Sequence, residues 1–254
     1  MNFLPKQESA ALRERFDAVI SRLAGAAKVS GRDMADIRLV AISKTHPAPV
    51  LAELVRIWGA GTPTFGENYV QEAVEKQKDV ASLLVGSADG SFNPLPEWHF
   101  TGHVQSRKAK DIVGRFALIH TLDSEKLAVQ IQKTVLAEKC SAQAVLIQIN
   151  IGEEPQKAGV SPEHAERFID SVRDISQVNI EGLMCLPPFH DDGEASRPFF
   201  SRMRELRDAL RAATGLALPH LSMGMSHDCE VAVSEGATMV RIGTDIFGAR
   251  PPKT

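Results

Sequence analysis

Cysteine is scarce and scattered: Cys140, Cys185 and Cys229 are the only three. An odd number at such spacing argues against a disulfide framework, and no CxxC pair offers a thiolate metal site, so no metal is expected. No apolar run approaches the roughly 18 residues that a membrane-spanning helix needs. Met1 to Ala10 is polar and lacks the apolar stretch of a secretory signal. Net charge is only −3, which leaves neither the basic footprint of a nucleic-acid binder nor a polybasic attraction to an anionic membrane. These absences predict a cytoplasmic protein. No GxGxxG follows an early strand, and no segment repeats at a fixed period. Tyrosine is reduced to one residue, Tyr69.

What is present is the composition of an ordinary folded chain, 43% hydrophobic and 24% charged over 254 residues. Leu12, Phe16, Val19, Ile20 and Leu23 recur at helical spacing and predict a helix over about 8–28. After Gly31, short apolar runs alternate with longer amphipathic stretches. The runs lie at 37–43, 62–67, 97–102, 117–122, 144–150, 180–186, 220–224 and 239–243. Several are continuously apolar, as strands buried on both faces must be. Gly61, Gly114, Gly215 and Gly236 fall where helices should end, and Ser161-Pro162-Glu163 marks a helix start. Eight strand–helix repeats predict a single α/β domain over residues 1–254, closed as a (β/α)8 TIM barrel with an extra N-terminal helix. An open doubly wound sheet is the alternative. Residues 82–96 and 187–197 are predicted loops.

The site of a barrel lies at the C-terminal ends of its strands. Lys44 directly follows the first, apolar strand. Partial desolvation there would lower its pKa and free the amine to attack a carbonyl. The structural alternative is a snorkelling lysine neutralised by a carboxylate such as Glu67. After strands seven and eight come SMGMS (222–226) and IGT (242–244), small, hydroxyl-bearing and leading into helix starts. Backbone N–H groups there, with the hydroxyls of Ser222, Ser226 and Thr244, suit a dianionic phosphate, although ordinary turn chemistry uses the same residues. Arg241 sits inside an apolar strand and must face a polar site or find a partner. It either meets a cofactor's ring nitrogen or closes the barrel as an ion pair with Glu67 or Asp245. His99 reads as structural, His103 as a rim residue, Asp228 as a helix cap, and residues 105–108 as a solvated helix start.

Taken together, AISKTHP (41–47), FGENYVQE (65–72), WHFTGHVQSRK (98–108), INIGEEPQKAGV (149–160), IEGLMCLPP (180–188), LSMGMSHD (221–228) and VRIGTDIFGAR (240–250) resemble the pyridoxal phosphate homeostasis proteins, single-domain relatives of the barrel domain of bacterial alanine racemase. The resemblance implies pyridoxal 5′-phosphate as cofactor and Lys44 as the lysine of its internal aldimine. It implies Asn68 near the ring substituents, Ser222, Gly243 and Thr244 at the phosphate, Gly224 and Ser226 lining that loop, and Arg241 beside the pyridine nitrogen. Two positions depart from the usual family wording: Thr101 stands where isoleucine is common and Arg107 where asparagine is common.

Two functions compete within that resemblance. A racemase needs a base on each face of its substrate, and the second comes from a domain for which the barrel leaves no room. Tyr69 is at most a rim residue. Arg241 cannot protonate a ring nitrogen, so the ring is a weak electron sink. The expectation is therefore a protein that holds the cofactor, buffers its level and delivers it to apo-enzymes without efficient amino-acid turnover. The alternative is a slow amino-acid racemase. A third reading, outside this cofactor class, is a barrel enzyme using Lys44 as Schiff-base catalyst on a phosphate ester. Without the racemase's second domain, a monomer is expected.

Overall fold

The computed structural model describes residues 3–59, 61–85 and 95–249. Eight parallel strands pair in sequence order and close into a barrel, β1 pairing with both β2 and β8. The strands are β1 (Arg38–Ile42), β2 (Thr64–Glu67), β3 (Glu97–Phe100), β4 (Leu118–Leu122), β5 (Gln143–Ile149), β6 (Val178–Cys185), β7 (His220–Ser222) and β8 (Met239–Ile242). All eight coincide with the apolar runs of the sequence. The open-sheet alternative is thereby overturned: parallel strands buried on both faces have no edge to leave open once β8 meets β1.

The helices are α1 (Lys6–Val29), α2 (Ala48–Ile57), α3 (Val70–Val85), α4 (Glu125–Glu138), α5 (Ala165–Val172), α6 (Arg197–Thr214), α7 (Cys229–Ser234) and α8 (Thr244–Phe247). The predicted N-terminal helix is α1, which buries Leu12, Phe16, Val19 and Leu23 and packs along α7 and α8. Helix α3 runs on to Val85 and so takes up positions 82–85 of the loop expected over 82–96; positions 86–94 of that expectation lie outside the described residues. Between β3 and β4 the solvated helix start becomes a 3₁₀ segment, Ser106–Asp111, which buries Ala109. A 3₁₀ turn, Gly193–Ser196, likewise occupies part of the second predicted loop. Ser161 does precede a helical turn, but its hydroxyl contacts His164 Nδ1 at 2.7 Å and caps no backbone N–H. Gly215 ends α6 in the left-handed conformation, φ 72°.

Two apolar regions flank the strands. The larger lies between barrel and helices. The smaller fills the barrel interior with Val40, Leu118, Leu146, Met184 and Met239, with Ile42 and Ala144 against them. Because side chains alternate along a strand, residues two positions from these share the interior. That places His120 and Arg241 inside the barrel, beyond the apolar plug, and the exposed Arg38 at its N-terminal mouth. No helix among the described residues is long and apolar enough to cross a membrane.

Candidate functional site

Val40 and Ile42 face inward, and Lys44 follows on the same side, just beyond the end of β1. Thr45 then adopts φ 67°, a left-handed conformation that a β-branched residue takes only when its surroundings impose it. The Thr45 backbone N–H donates to Glu72 Oε1 at 2.5 Å. Behind this turn, Lys76 Nζ donates to Ser43 O at 2.7 Å, Glu67 Oε1 at 2.6 Å and Glu72 Oε1 at 2.7 Å, while the Ser43 hydroxyl donates to the same Glu67 oxygen. Lys76 and Glu67 are both buried. Burial pushes the Glu67 carboxyl above the usual range despite Lys76. The sequence alternative that Glu67 neutralises Lys44 is corrected: Glu67 serves Lys76 and Ser43 on the outer side of the strand. The lysine-bearing turn is thus held from behind by a buried polar cluster.

Asn68 follows β2 and is brought beside Lys44 by the β1–β2 pairing of Ile42 with Gly66. Its Oδ1 accepts from the Thr101 hydroxyl at 3.0 Å, so one of the two departures from the usual wording touches a site residue directly. At Gly102 a Cβ would stand 2.3 Å from Asn68 O; only glycine lets the chain beyond β3 pass this close. His103 lies at the rim, 3.5 Å from Asp123.

Arg241 is buried, 5% exposed. Its Nη1 donates to Ser222 Oγ at 2.6 Å and its Nη2 to Cys185 O at 2.8 Å. Neither expected ion pair forms, since Asp245 is engaged by Arg22 and Glu67 by Lys76. Burial lowers the Arg241 pKa, yet a guanidinium stays charged. It is a buried cation with no carboxylate partner among the described residues. Arg241 also decides the place of Ser222. That hydroxyl lies in the barrel interior at the end of β7, between Arg241 and His120, directly before the loop that carries Gly224 and Ser226.

The loop after β7 carries Gly224 at φ 91°, where a Cβ would meet the Ala232 Cβ at 2.5 Å. Arg241 N donates to Gly224 O at 3.0 Å, tying this loop to β8. Asp228 occupies the N-cap position of α7 without capping it. Instead its carboxylate accepts from Met225 N at 2.6 Å and from Ser196 Oγ at 3.0 Å, bracing the loop. Gly243 and Thr244 open α8 beside Ile42, through the β1–β8 pairing. The N–H groups of Gly224, Ser226 and Gly243 make no hydrogen bond among the described residues, and Thr244, as the first helical residue, has no intrahelical acceptor.

Sequence reasoning missed two groups here. Arg22 of α1 donates to Ser226 O at 2.8 Å and pairs with Glu230 and Asp245; an arginine on an amphipathic helix gives no sign of its partners. His120 bonds Ser222; its signal was a histidine inside an apolar strand.

The comparisons agree with this geometry. Residues 10–251 match the model of the alanine racemase N-terminal domain. A pyridoxal phosphate homeostasis protein of Aquifex aeolicus (strain VF5) is 41% identical, over 93% of this chain and 97% of the relative. The chain belongs to the pyridoxal phosphate homeostasis protein family. Its fold is also similar to that of PipY of Synechococcus elongatus PCC7942. The PipY structure without PLP has a TM-score of 0.77 at 33% identity, covering 93% of this chain and all of that one. The PLP-bound PipY structure has a TM-score of 0.73 at 32% identity, covering 91% and all of that chain.

Proposed function

We propose that the protein binds pyridoxal 5′-phosphate at the C-terminal mouth of the barrel and serves the homeostasis of that cofactor, holding and releasing it without efficient turnover of amino acids. The observation that carries this reading is Arg241, a buried guanidinium near the C-terminal end of β8 with no carboxylate partner among the described residues. An uncompensated buried cation is costly, and a ring nitrogen that accepts a hydrogen bond gives it a use. When bound, the cofactor supplies an aldehyde that condenses with amines. Lys44 offers the amine, on a turn made rigid by Thr45 and the Lys76 cluster. Asn68, steadied by Thr101, lies beside it for a ring substituent. Gly224, Ser226, Gly243 and Thr244 offer N–H and hydroxyl donors for the phosphate. Arg241 donates to the ring nitrogen and, having no proton to give up, keeps the ring a weak electron sink. Tyr69 is 54% exposed at the outer rim, a poor setting for a second base.

The same reading has the whole chain acting as one cofactor-binding unit, as a cytoplasmic monomer that passes the cofactor to apo-enzymes. PLP-bound PipY and the name shared by the curated relatives support the cofactor. The testing experiment is an absorption spectrum of protein mixed with pyridoxal phosphate, followed by borohydride reduction and peptide mass analysis. A visible band and a reduced adduct on Lys44, both lost in Lys44→Ala, are expected. An adduct retained at full yield in Lys44→Ala rejects the assignment.

A further inference from the structure

A continuous row of hydrogen-bonded side chains runs through the barrel interior from one mouth to the other. At the N-terminal mouth, Arg38 Nη1 donates to Glu97 Oε1 at 2.6 Å. The same carboxylate oxygen lies 2.7 Å from His99 Nε2. His99 Nδ1 is 2.9 Å from His120 Nε2, and His120 Nδ1 is 2.9 Å from Ser222 Oγ. Ser222 Oγ accepts from Arg241 at 2.6 Å. Both imidazoles are completely buried. The row therefore links the guanidinium at the cofactor mouth to a carboxylate at the opposite face, through Ser222, His120 and His99.

The protons of this row have one consistent arrangement. A guanidinium only donates and an ionised carboxylate only accepts. Ser222 Oγ, receiving from Arg241, turns its own proton toward His120 Nδ1. His120 then carries its proton on Nε2 and gives it to His99 Nδ1. His99 in turn carries its proton on Nε2 and gives it to Glu97. Reversing the direction would put the His99 proton on Nδ1 and leave the lone pair of Nε2 facing the Glu97 carboxylate, two acceptors with no proton between them. Both rings are thus neutral Nε2–H tautomers. Burial lowers the pKa of each, in keeping with neutrality. The Glu97 carboxyl is held below its usual range, first by the hydrogen bond from His99.

We propose that Glu97, His99 and His120 are positioning residues for Arg241, and that this relay couples the charge of Glu97 at the N-terminal mouth to the cofactor held at the C-terminal mouth. The proposal rests on the reading of Arg241 as the partner of the ring nitrogen. It goes beyond that reading in assigning a remote group to the site. A guanidinium has several donors and many ways to point. Two of its donors are fixed here by Ser222 and Cys185 O, and Ser222 keeps its orientation only while His120 accepts from it. His120 accepts at Nδ1 only while its other nitrogen has His99 to receive the proton. The chain of obligations ends at the carboxylate, four hydrogen bonds from Arg241.

The test uses the full chain and two measurements. First, imidazole 15N spectra of the ligand-free protein report tautomers directly. His99 and His120 are expected as neutral Nε2–H rings. In Glu97→Leu, which removes the terminal acceptor, the His120 signals are expected to move although residue 97 does not touch that ring. Second, pyridoxal phosphate is titrated into wild type, Glu97→Leu and Glu97→Gln, with absorption maximum and Kd as readouts. Glu97→Leu should weaken binding by on the order of fivefold, the scale of an ordinary coupling between sites, and shift the absorption maximum. Glu97→Gln is the variant least able to disturb folding: it keeps an acceptor for His99 but not the charge. It should retain the tautomers while showing a smaller shift of the same sign. Unmoved His120 signals, or variants indistinguishable from wild type in both spectrum and affinity, overturn the relay. Failure of wild type to bind pyridoxal phosphate would instead overturn the cofactor reading, with the tautomer spectra still judging the relay.

Discussion

Arg22, in the middle of the first helix, donates to the carbonyl of Ser226 at 2.8 Å. The same guanidinium contacts Glu230 of α7 and Asp245 of α8. A helix outside the eightfold repeat thereby clamps the two loops proposed to hold the phosphate, which meet only in the folded barrel.

Arg22→Ala should loosen both loops and flatten the acid limb of stability. Arg22 holds the Glu230 carboxyl down at about 2. A depressed carboxyl contributes stability above its unfolded value of roughly 4.3, and that contribution is lost as pH falls toward the folded value. These side chains are about a third exposed, so solvent limits the effect to about 1 kcal/mol. Urea unfolding at a series of pH values between 2 and 6 should show a shallower fall in the variant than in wild type. Identical slopes would mean that the pair carries no pH dependence.

Ser226 and Thr244 should separate from Ser222 by the ligand they affect. Replacing Ser226 and Thr244 together by alanine removes donors proposed for the phosphate, each worth roughly 1.5–3 kcal/mol. Binding of pyridoxal phosphate should fall by about two decades or more while binding of pyridoxal changes little. Ser222→Ala acts through Arg241 and should weaken the two ligands alike. Calorimetric titration with both ligands decides. A phosphate-selective loss in Ser222→Ala would return that hydroxyl to the phosphate.

Lys76→Met strips the buried Glu67 of its cation. Breaking a buried pair from one side costs about 3–5 kcal/mol. The deficit has a defined pH dependence. Burial already raises the Glu67 carboxyl, and without Lys76 it rises further. A raised carboxyl is neutral in the folded protein at low pH and loses stability as pH climbs from the unfolded value, roughly 4.3, toward the folded one. The deficit should therefore be small near pH 4 and large at pH 8. Adding Glu67→Gln to Lys76→Met should recover most of it. A deficit independent of pH points to lost packing alone.

Loaded with pyridoxal phosphate, the protein should exchange the Cα proton of L-alanine for solvent deuterium no faster than free pyridoxal phosphate does. The reasons are the arginine at the proposed ring position and the exposed setting of Tyr69. NMR at micromolar protein provides the measurement. Exchange in the ordinary enzymatic range, about 1–10³ s⁻¹, would sink the carrier reading.

The barrel was legible because its code is local and repeated. Each strand is a short apolar run, and a run such as Leu39 to Ile42 reads the same before and after folding. The place of Lys44, directly after a buried strand, was equally plain, but position alone did not separate a reactive amine from a snorkelling lysine. The glycines and hydroxyls of 222–226 and 242–244 announced tight loops leading into helices. Helix ends such as Gly215 followed from the left-handed conformation that glycine alone takes cheaply.

Partnership was not legible, because it depends on strand register and on which face each residue meets. Ser222 and Ser226 are both serines of one loop by sequence. The first is the last residue of β7 and turns into the barrel against Arg241, while the second lies beyond the strand, where its carbonyl meets Arg22. Glu67 looked like a counter-ion for Lys44, but an odd step along the wall turns it to Lys76. His99 and His120 stand 21 positions apart and touch only because β3 and β4 pair within the closed sheet. The sequence by itself determined the barrel, the lysine at its mouth and the two small-residue loops, since hydrophobic period and backbone preference are properties of short segments. Tertiary structure alone decided which polar groups answer one another. Burial makes each hydrogen bond obligatory, and only the closed barrel brings donor and acceptor within reach.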